Sequence, residues 1–191
     1  RIAQAVSRTY SLDKATSQLL RYDGSTGGDI PVVDHVAGLE FEYYGDPQPP
    51  QLTGKPLSLA AGPWTTYGPL PPVVTKQIAS RGYPPGENCV FAMSDAGPVP
   101  RLPFLGSGTT LVRLTATQLT DGPWCPDDTS TNRWDADLLR IRKIGVTIRI
   151  EAANQALRGP AGVLFVNGGT ASRGSRWLPD QQITFQVVPR N

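Results

Sequence analysis

The residues in this chain able to do chemistry are few. Cys89 and Cys125 are the only cysteines and His35 the only histidine among 191 residues. The cysteines stand too far apart for a redox Cys-x-x-Cys pair, and one histidine leaves them no zinc ligand set. A structural disulfide formed in an oxidising compartment is the natural reading. It would restrict the unfolded chain by roughly 4 kcal/mol in the loop-entropy account. His35 has no serine in a Gly-x-Ser-x-Gly setting to activate, so a Ser-His-Asp catalyst has little to be built from, and a structural role beside a strand is expected for it. The glycine runs Gly24–Gly28 and Gly168–Gly169 lack the Gly-Lys-Ser/Thr ending of a phosphate loop and read as turns.

Acidic residues are densest around Asp121, Asp127, Asp128, Asp135 and Asp137. Oxygen-rich loops of this kind hold calcium in some proteins, which makes Asp127, Asp128, Asp135 and Asp137 the candidate ligands. Their spacing fits no EF-hand, so helix caps and solvated turns are the preferred reading and no metal or cofactor is assigned. A metal-dependent hydrolase built on the aspartates near Trp134 is the most distant alternative. Trp64, Tyr67, Tyr83, Trp124, Trp134 and Trp177 have faces that suit stacking on sugars or bases. Most flank proline or glycine, where a ring more often pins a loop to the core.

Composition narrows the partner classes. Charged residues make up 18% of the chain and the net charge is +2, too little and too dispersed for a nucleic-acid footprint or a polybasic membrane anchor. No segment approaches the ~20 apolar residues of a membrane span, and no signal peptide opens the chain. Arg1–Val6 begins abruptly, as if mid-strand, which suggests a processed or truncated piece of a longer precursor.

The elements that must position these residues are mostly strands. Val6–Leu12 and Gln18–Tyr22, joined by the polar Asp13–Ser17, read as an opening hairpin. Val36–Tyr44 alternates Ala37, Leu39, Phe41 and Tyr43 with Glu40 and Glu42. Ten of the nineteen prolines lie between Gly45 and Gly86, where they withhold ladder donors. Residues 45–86 are therefore expected to form an ordered proline-rich insertion within one domain, 1–191. Thr115 with Gln118 forms a capping box opening a short helical turn. Asp135–Lys143 places acids first and bases last, as suits the dipole of a brief helix. The clearest strand is Ile144–Ala152, with Ile144, Val146, Ile148 and Ile150 on one face and Thr147, Arg149 and Glu151 on the other. Ile183–Val187 repeats the pattern, and a further strand is expected at Val163–Val166. The fold class that follows is mainly β, a meandering antiparallel sheet with short helical turns.

Several segments, in order, resemble a known family: Leu20–Gly24, Val32–Tyr43, Thr66–Pro69, Gly86–Cys89, Leu119–Pro126, Asp135–Arg142, Leu157–Gly162 and Val188–Asn191. Together they look like the C-terminal globular head of prepilin-type proteins, specifically PilW-like minor pilins related to the J-type minor pseudopilin of type II secretion. Family members carry a cleaved leader, a long hydrophobic helix and a β-rich head; leader and helix fall outside these 191 residues. The resemblance implies a bacterial cell-envelope filament subunit, extracellular or periplasmic, that is not an enzyme. Its partners would be other minor pilins or pseudopilins or the major filament subunit, with no nucleic acid and no small-molecule substrate, and with a membrane only through the absent helix. The alternative is a secreted β-rich binding or adhesin module that recognises glycans or a surface through Trp64, Tyr67 and Tyr83.

Overall fold

The computed structural model describes residues 8–22, 24, 27–52, 83–84, 87–126, 133–170 and 176–189. Within them run strands β1 (Thr9–Asp13), β2 (Gln18–Tyr22), β3 (Ile30–Val33), β4 (Val36–Gly45), β5 (Phe91–Ser94), β6 (Gly97–Pro100), β7 (Val112–Leu114), β8 (Trp124–Pro126), β9 (Arg133–Asp135), β10 (Ile141–Ile150) and β11 (Gln181–Val187). The only helices among the described residues are short 3-10 turns, Ala136–Arg140 and Gln155–Leu157. The protein is mainly β, as its periodicity predicts. Four sheets form among the described residues, ordered β1-β2-β3, β11-β10-β4-β7, β5-β6 and β8-β9. The chain divides into two compact units, Arg1–Phe41 with Val146–Phe185, and Glu42–Gly145 with Gln186–Asn191.

In the first unit, β1 and β2 pair antiparallel from Thr9↔Tyr22 to Asp13↔Gln18, the expected hairpin with its first strand beginning at Thr9. Its turn is fastened by Asp13, whose carboxylate accepts from the Ala15 amide at 2.9 Å and the Thr16 hydroxyl at 2.7 Å; the Thr16 bond chiefly holds this carboxyl below its usual range. Strand β3 adds to β2 with a bulge at Leu19/Leu20. His35 then turns the chain with φ +59°. Val36, 1% exposed, donates its amide to the Ser17 carbonyl and anchors the start of β4.

The second unit contains a core of Cys89, Val90, Phe91, Leu102, Cys125 and Ala136, with Tyr83, Trp134 and Leu139 packed against it. The β5–β6 hairpin pairs Phe91↔Pro100 and Met93↔Pro98. Sequence patterning misses it because two prolines lie in β6; a two-stranded ribbon has open edges, which is where proline's missing donor is tolerated. Strand β7 pairs with the end of β4, Tyr43↔Leu114 through Gly45↔Val112. Gly45 has no room for a side chain, since a Cβ would lie 2.8 Å from Leu114 Cδ1 and 3.1 Å from Arg140 Cγ.

Two local expectations are met in detail. The Thr115–Gln118 box closes reciprocally, Gln118 N donating to Thr115 Oγ1 at 3.2 Å and Thr115 N to Gln118 Oε1 at 2.8 Å. The acids-first segment forms the 3-10 helix Ala136–Arg140, capped by Asp135, and strand β10 begins at Ile141, three residues earlier than its alternation suggests. The strand expected at Val163–Val166 does not form. Its backbone groups go elsewhere: the Val163 carbonyl accepts from Arg149, the Leu164 carbonyl from the Asp180 amide, and the Phe165 carbonyl from Gly162. Residues 53–82, most of the proline-rich insertion, lie outside the described residues, as do Arg1–Ser7.

Candidate functional site

The second unit gathers its charged and cross-linked residues around the disulfide. Cys89 and Cys125 are joined, with Cα atoms 4.9 Å apart and both residues fully buried. Asn88 organises the approach: its Oδ1 accepts from the Val90 and Phe91 amides at 2.9 Å each, and its carbonyl accepts from Arg101 Nε at 3.1 Å. Arg101 pairs with Glu87 and lies 4.5 Å above the Tyr83 ring. The Tyr83 hydroxyl in turn donates to the Trp124 carbonyl. Burial raises the Tyr83 phenol above its usual value, against the opposing pull of Arg101.

On the far strand of the clasp, Cys125 sits opposite Trp134 and Trp124 opposite Asp135. Asp135 is 2% exposed and has one carboxylate oxygen on the Asp137 amide and the other on the Gly122 amide, which precedes the cis Gly122–Pro123 bond. Asp137 pairs with Arg140 at 3.0 Å. Arg140 is wholly buried, donates to the Pro103 carbonyl, and offers its own carbonyl to the Asp46 amide.

Of the four calcium candidates, Asp135 and Asp137 are brought together, and Asp121 joins them with carboxylate oxygens within 4.8 Å of one another. Asp127 and Asp128 lie outside the described residues. Burial pushes the Asp137 carboxyl up to about 6, Arg140 opposing it and the neighbouring Asp135 and Asp121 adding to it. Two of the three carboxylates therefore already serve the fold, Asp135 as a cap and strap for backbone amides and Asp137 as the counter-ion of a buried guanidinium. The cluster has the chemistry of an internal charge network that fixes the turn before β10.

In the first unit a cleft of about 290 Å³ is lined by Gly38, Leu39, Glu40, Thr147, Arg149, Val166 and Gln182. Period-2 alternation places Gly38 and Glu40 of β4, Thr147 and Arg149 of β10 and Gln182 of β11 on this side. The cleft thus presents carboxylate, hydroxyl, guanidinium and amide groups. Arg149 is fixed within it by Asp180 at 3.1 Å and the Val163 carbonyl at 2.6 Å.

The loop bordering this cleft is tied down by a second ionic group. Glu151 meets Arg158 at 2.9 Å and accepts from Asn167 at 2.8 Å, while its amide donates to the His35 carbonyl. Phe165 turns inward, 8% exposed, edge-on to Trp177 and directly over Gly159. The lone histidine thus contributes through its backbone. Tyr83, beside Pro84, packs against the core, Trp134 does so from within strand β9, and Trp177 meets Phe165 edge-on; Trp64 and Tyr67 are outside the described residues. Sequence reasoning missed Arg140, Asn88 and the Glu151–Arg158 pair. Only the i,i+3 spacing of Asp137 and Arg140 was available as a signal.

No protein-family model, curated protein or solved structure matches the chain. The disulfide fits a compartment outside the reducing cytosol. No helix among the described residues is long and apolar enough to cross a membrane.

Proposed function

We propose that the protein is the head of a minor pilin-like or minor pseudopilin-like structural subunit. It would act by protein contact in the priming or tip complex of a type IV pilus or type II secretion pseudopilus, in the extracellular or periplasmic space, without catalysis. The observation that carries this reading is the use to which the family-like segments are put. Gly86–Cys89, Leu119–Pro126, Asp135–Arg142 and Leu157–Gly162 supply Asn88, Cys89, Cys125, Asp135, Arg140, Arg158 and Gly159, all spent on clasping loops to strands. Exposed apolar side chains meanwhile lie along strands, at Tyr10, Ile30, Val32, Ile183 and Phe185, as suits docking against neighbouring subunits. The partners are other minor subunits or the major filament subunit. Reading the gene upstream of Arg1 tests the proposal: a prepilin cleavage site followed by an apolar helix is expected, and a precursor lacking both overturns it.

The polar cleft on β4, β10 and β11 favours a second reading, a secreted adhesin module that takes a glycan. Residues 1–191 would then bind a glycan array, with binding lost on Gln182→Ala if the cleft is the site and on Trp64→Ala if the insertion is. A blank array removes this reading.

A further inference from the structure

Strand β11 is the terminal strand of its sheet, with β10 as its one neighbour in the strand order. All seven of its residues are exposed, Ile183 at 52% and Phe185 at 44%. Edge strands in soluble proteins are ordinarily guarded by charge, proline, a bulge or a covering loop. Gln181-Gln182-Ile183-Thr184-Phe185-Gln186-Val187 contains no charged residue and no proline, and with side chains of both faces exposed, nothing among the described residues covers it.

The order of side chains in this strand is a chemical palindrome about Thr184: glutamine, aliphatic, threonine, aromatic, glutamine. When two copies of one strand pair antiparallel about a two-fold axis, each residue meets its mirror position. Centred on Thr184, that register sets Ile183 opposite the second copy's Phe185, Gln182 opposite Gln186, and Thr184 opposite itself. Over the central five residues apolar meets apolar on one face and amide meets amide on the other, the pairings that stabilise antiparallel ladders, while at the two ends Gln181 meets Val187. Thr184 Oγ1 already lies 3.1 Å from Thr147 Oγ1, and Gln182 lines the polar cleft, so the glutamine and threonine face of β11 lies on the cleft side. Ile183 and Phe185 project from the other side.

From this we infer that β11 is a self-pairing edge: two copies of the protein associate through antiparallel β11 strands in register about Thr184, joining their sheets into one. This does not rest on the filament reading, since it needs only the strand. One strand pair is a small interface, so association in the range of about 100 μM is expected.

Sedimentation velocity of the whole chain from about 10 μM to about 1 mM tests the inference. The weight-average mass should rise towards twice that of the protomer. Ile183→Lys and Phe185→Glu, each made alone, should weaken association by about tenfold, because each alters two cross-strand pairs per dimer. The double variant Ile183→Lys/Phe185→Glu should recover it, since the ammonium introduced at position 183 of one copy would then face the carboxylate introduced at position 185 of the other, twice over. Because both side chains are exposed, circular dichroism of the variants should match the parent. As a check that needs no substitution, exchange of the Ile183–Phe185 amides should slow as concentration rises. A chain that stays monomeric across the range overturns the self-pairing edge. Association indifferent to both single changes, or not recovered in the double variant, overturns the register.

Discussion

The two units each hold an irregular segment against strands, and they do so by different means. In the second unit the segment around Asn88 is held covalently to β8 and sealed by apolar burial, with Cys89, Val90 and Cys125 at 0% exposure. In the first, the described segments 151–170 and 176–180 carry two ion pairs, Glu151–Arg158 and Asp180–Arg149, and one inward aromatic ring. A cross-link acts mainly by restricting the unfolded chain. An ionic clasp acts in the folded state, and removing one partner strands the other as a buried charge. The first fastening should therefore be sensitive to reductant and the second to single substitutions.

The largest effect expected is at the covalent clasp. Replacing both cysteines by alanine should lower stability by roughly 4 kcal/mol, read as a drop in the urea midpoint, with dithiothreitol reproducing it on the parent protein. If reductant leaves the midpoint unmoved, the covalent half of the contrast fails. Next comes Glu151→Ala, which leaves Arg158 without its carboxylate in a side chain only 12% exposed; about 3 kcal/mol should be lost. The exposed pair Arg113–Glu42, 60% and 35% accessible, is the control: Arg113→Ala should cost less than about 1 kcal/mol. Equal losses at the two pairs would remove the distinction between a clasp and a surface contact.

A smaller loss, about 1–3 kcal/mol, is expected for Gly159→Ala. The added methyl would stand 2.8 Å from Phe165 Cζ, and Phe165→Leu in the same chain should relieve part of the strain. The smallest effect is one of pH. The Asp137 carboxyl titrates near 6 in the fold against 3.8 for an ordinary aspartate, so between those values the folded state retains a proton that the unfolded chain has lost. Its contribution is present in full below about pH 4 and is lost as pH rises through 6. Urea midpoints of the parent measured relative to Asp137→Asn should thus fall between pH 4 and 7; a rise would mean that attraction to Arg140 outweighs burial.

Much of the local structure was legible in the residues. The Asp13–Ser17 turn, the Thr115–Gln118 box and the acids-first helix after Asp135 all depend on groups within five positions of one another, and such signals survive folding unchanged. The Val163–Val166 expectation failed because four apolar residues in a row look the same whether they join a ladder or send one ring inward. Here Phe165 found its place over Gly159, beside a tryptophan twelve residues on. The candidate aspartates were half legible: acids clustered near Trp134 mark the neighbourhood and the i,i+3 spacing hints at the Asp137–Arg140 pair, yet spacing reveals neither that Arg140 is wholly buried nor that the Gly122 turn brings Asp121 in.

By itself the sequence determined a β-rich chain, a disulfide between its only two cysteines, the Thr115–Gln118 box and the short acids-first helix after Asp135, because each rests on nearby chemistry or on there being no other partner. The tertiary structure alone decided that β4 lies between β10 and β7, that Glu151 meets Arg158 in the loop that Phe165 closes, and that Asp137 shares a buried network with Arg140 and Asp135. Strand neighbours far apart in the chain are chosen by the summed burial of whole faces, a quantity no short window of residues contains. That choice also left β11 at the rim of its sheet, uncharged and open.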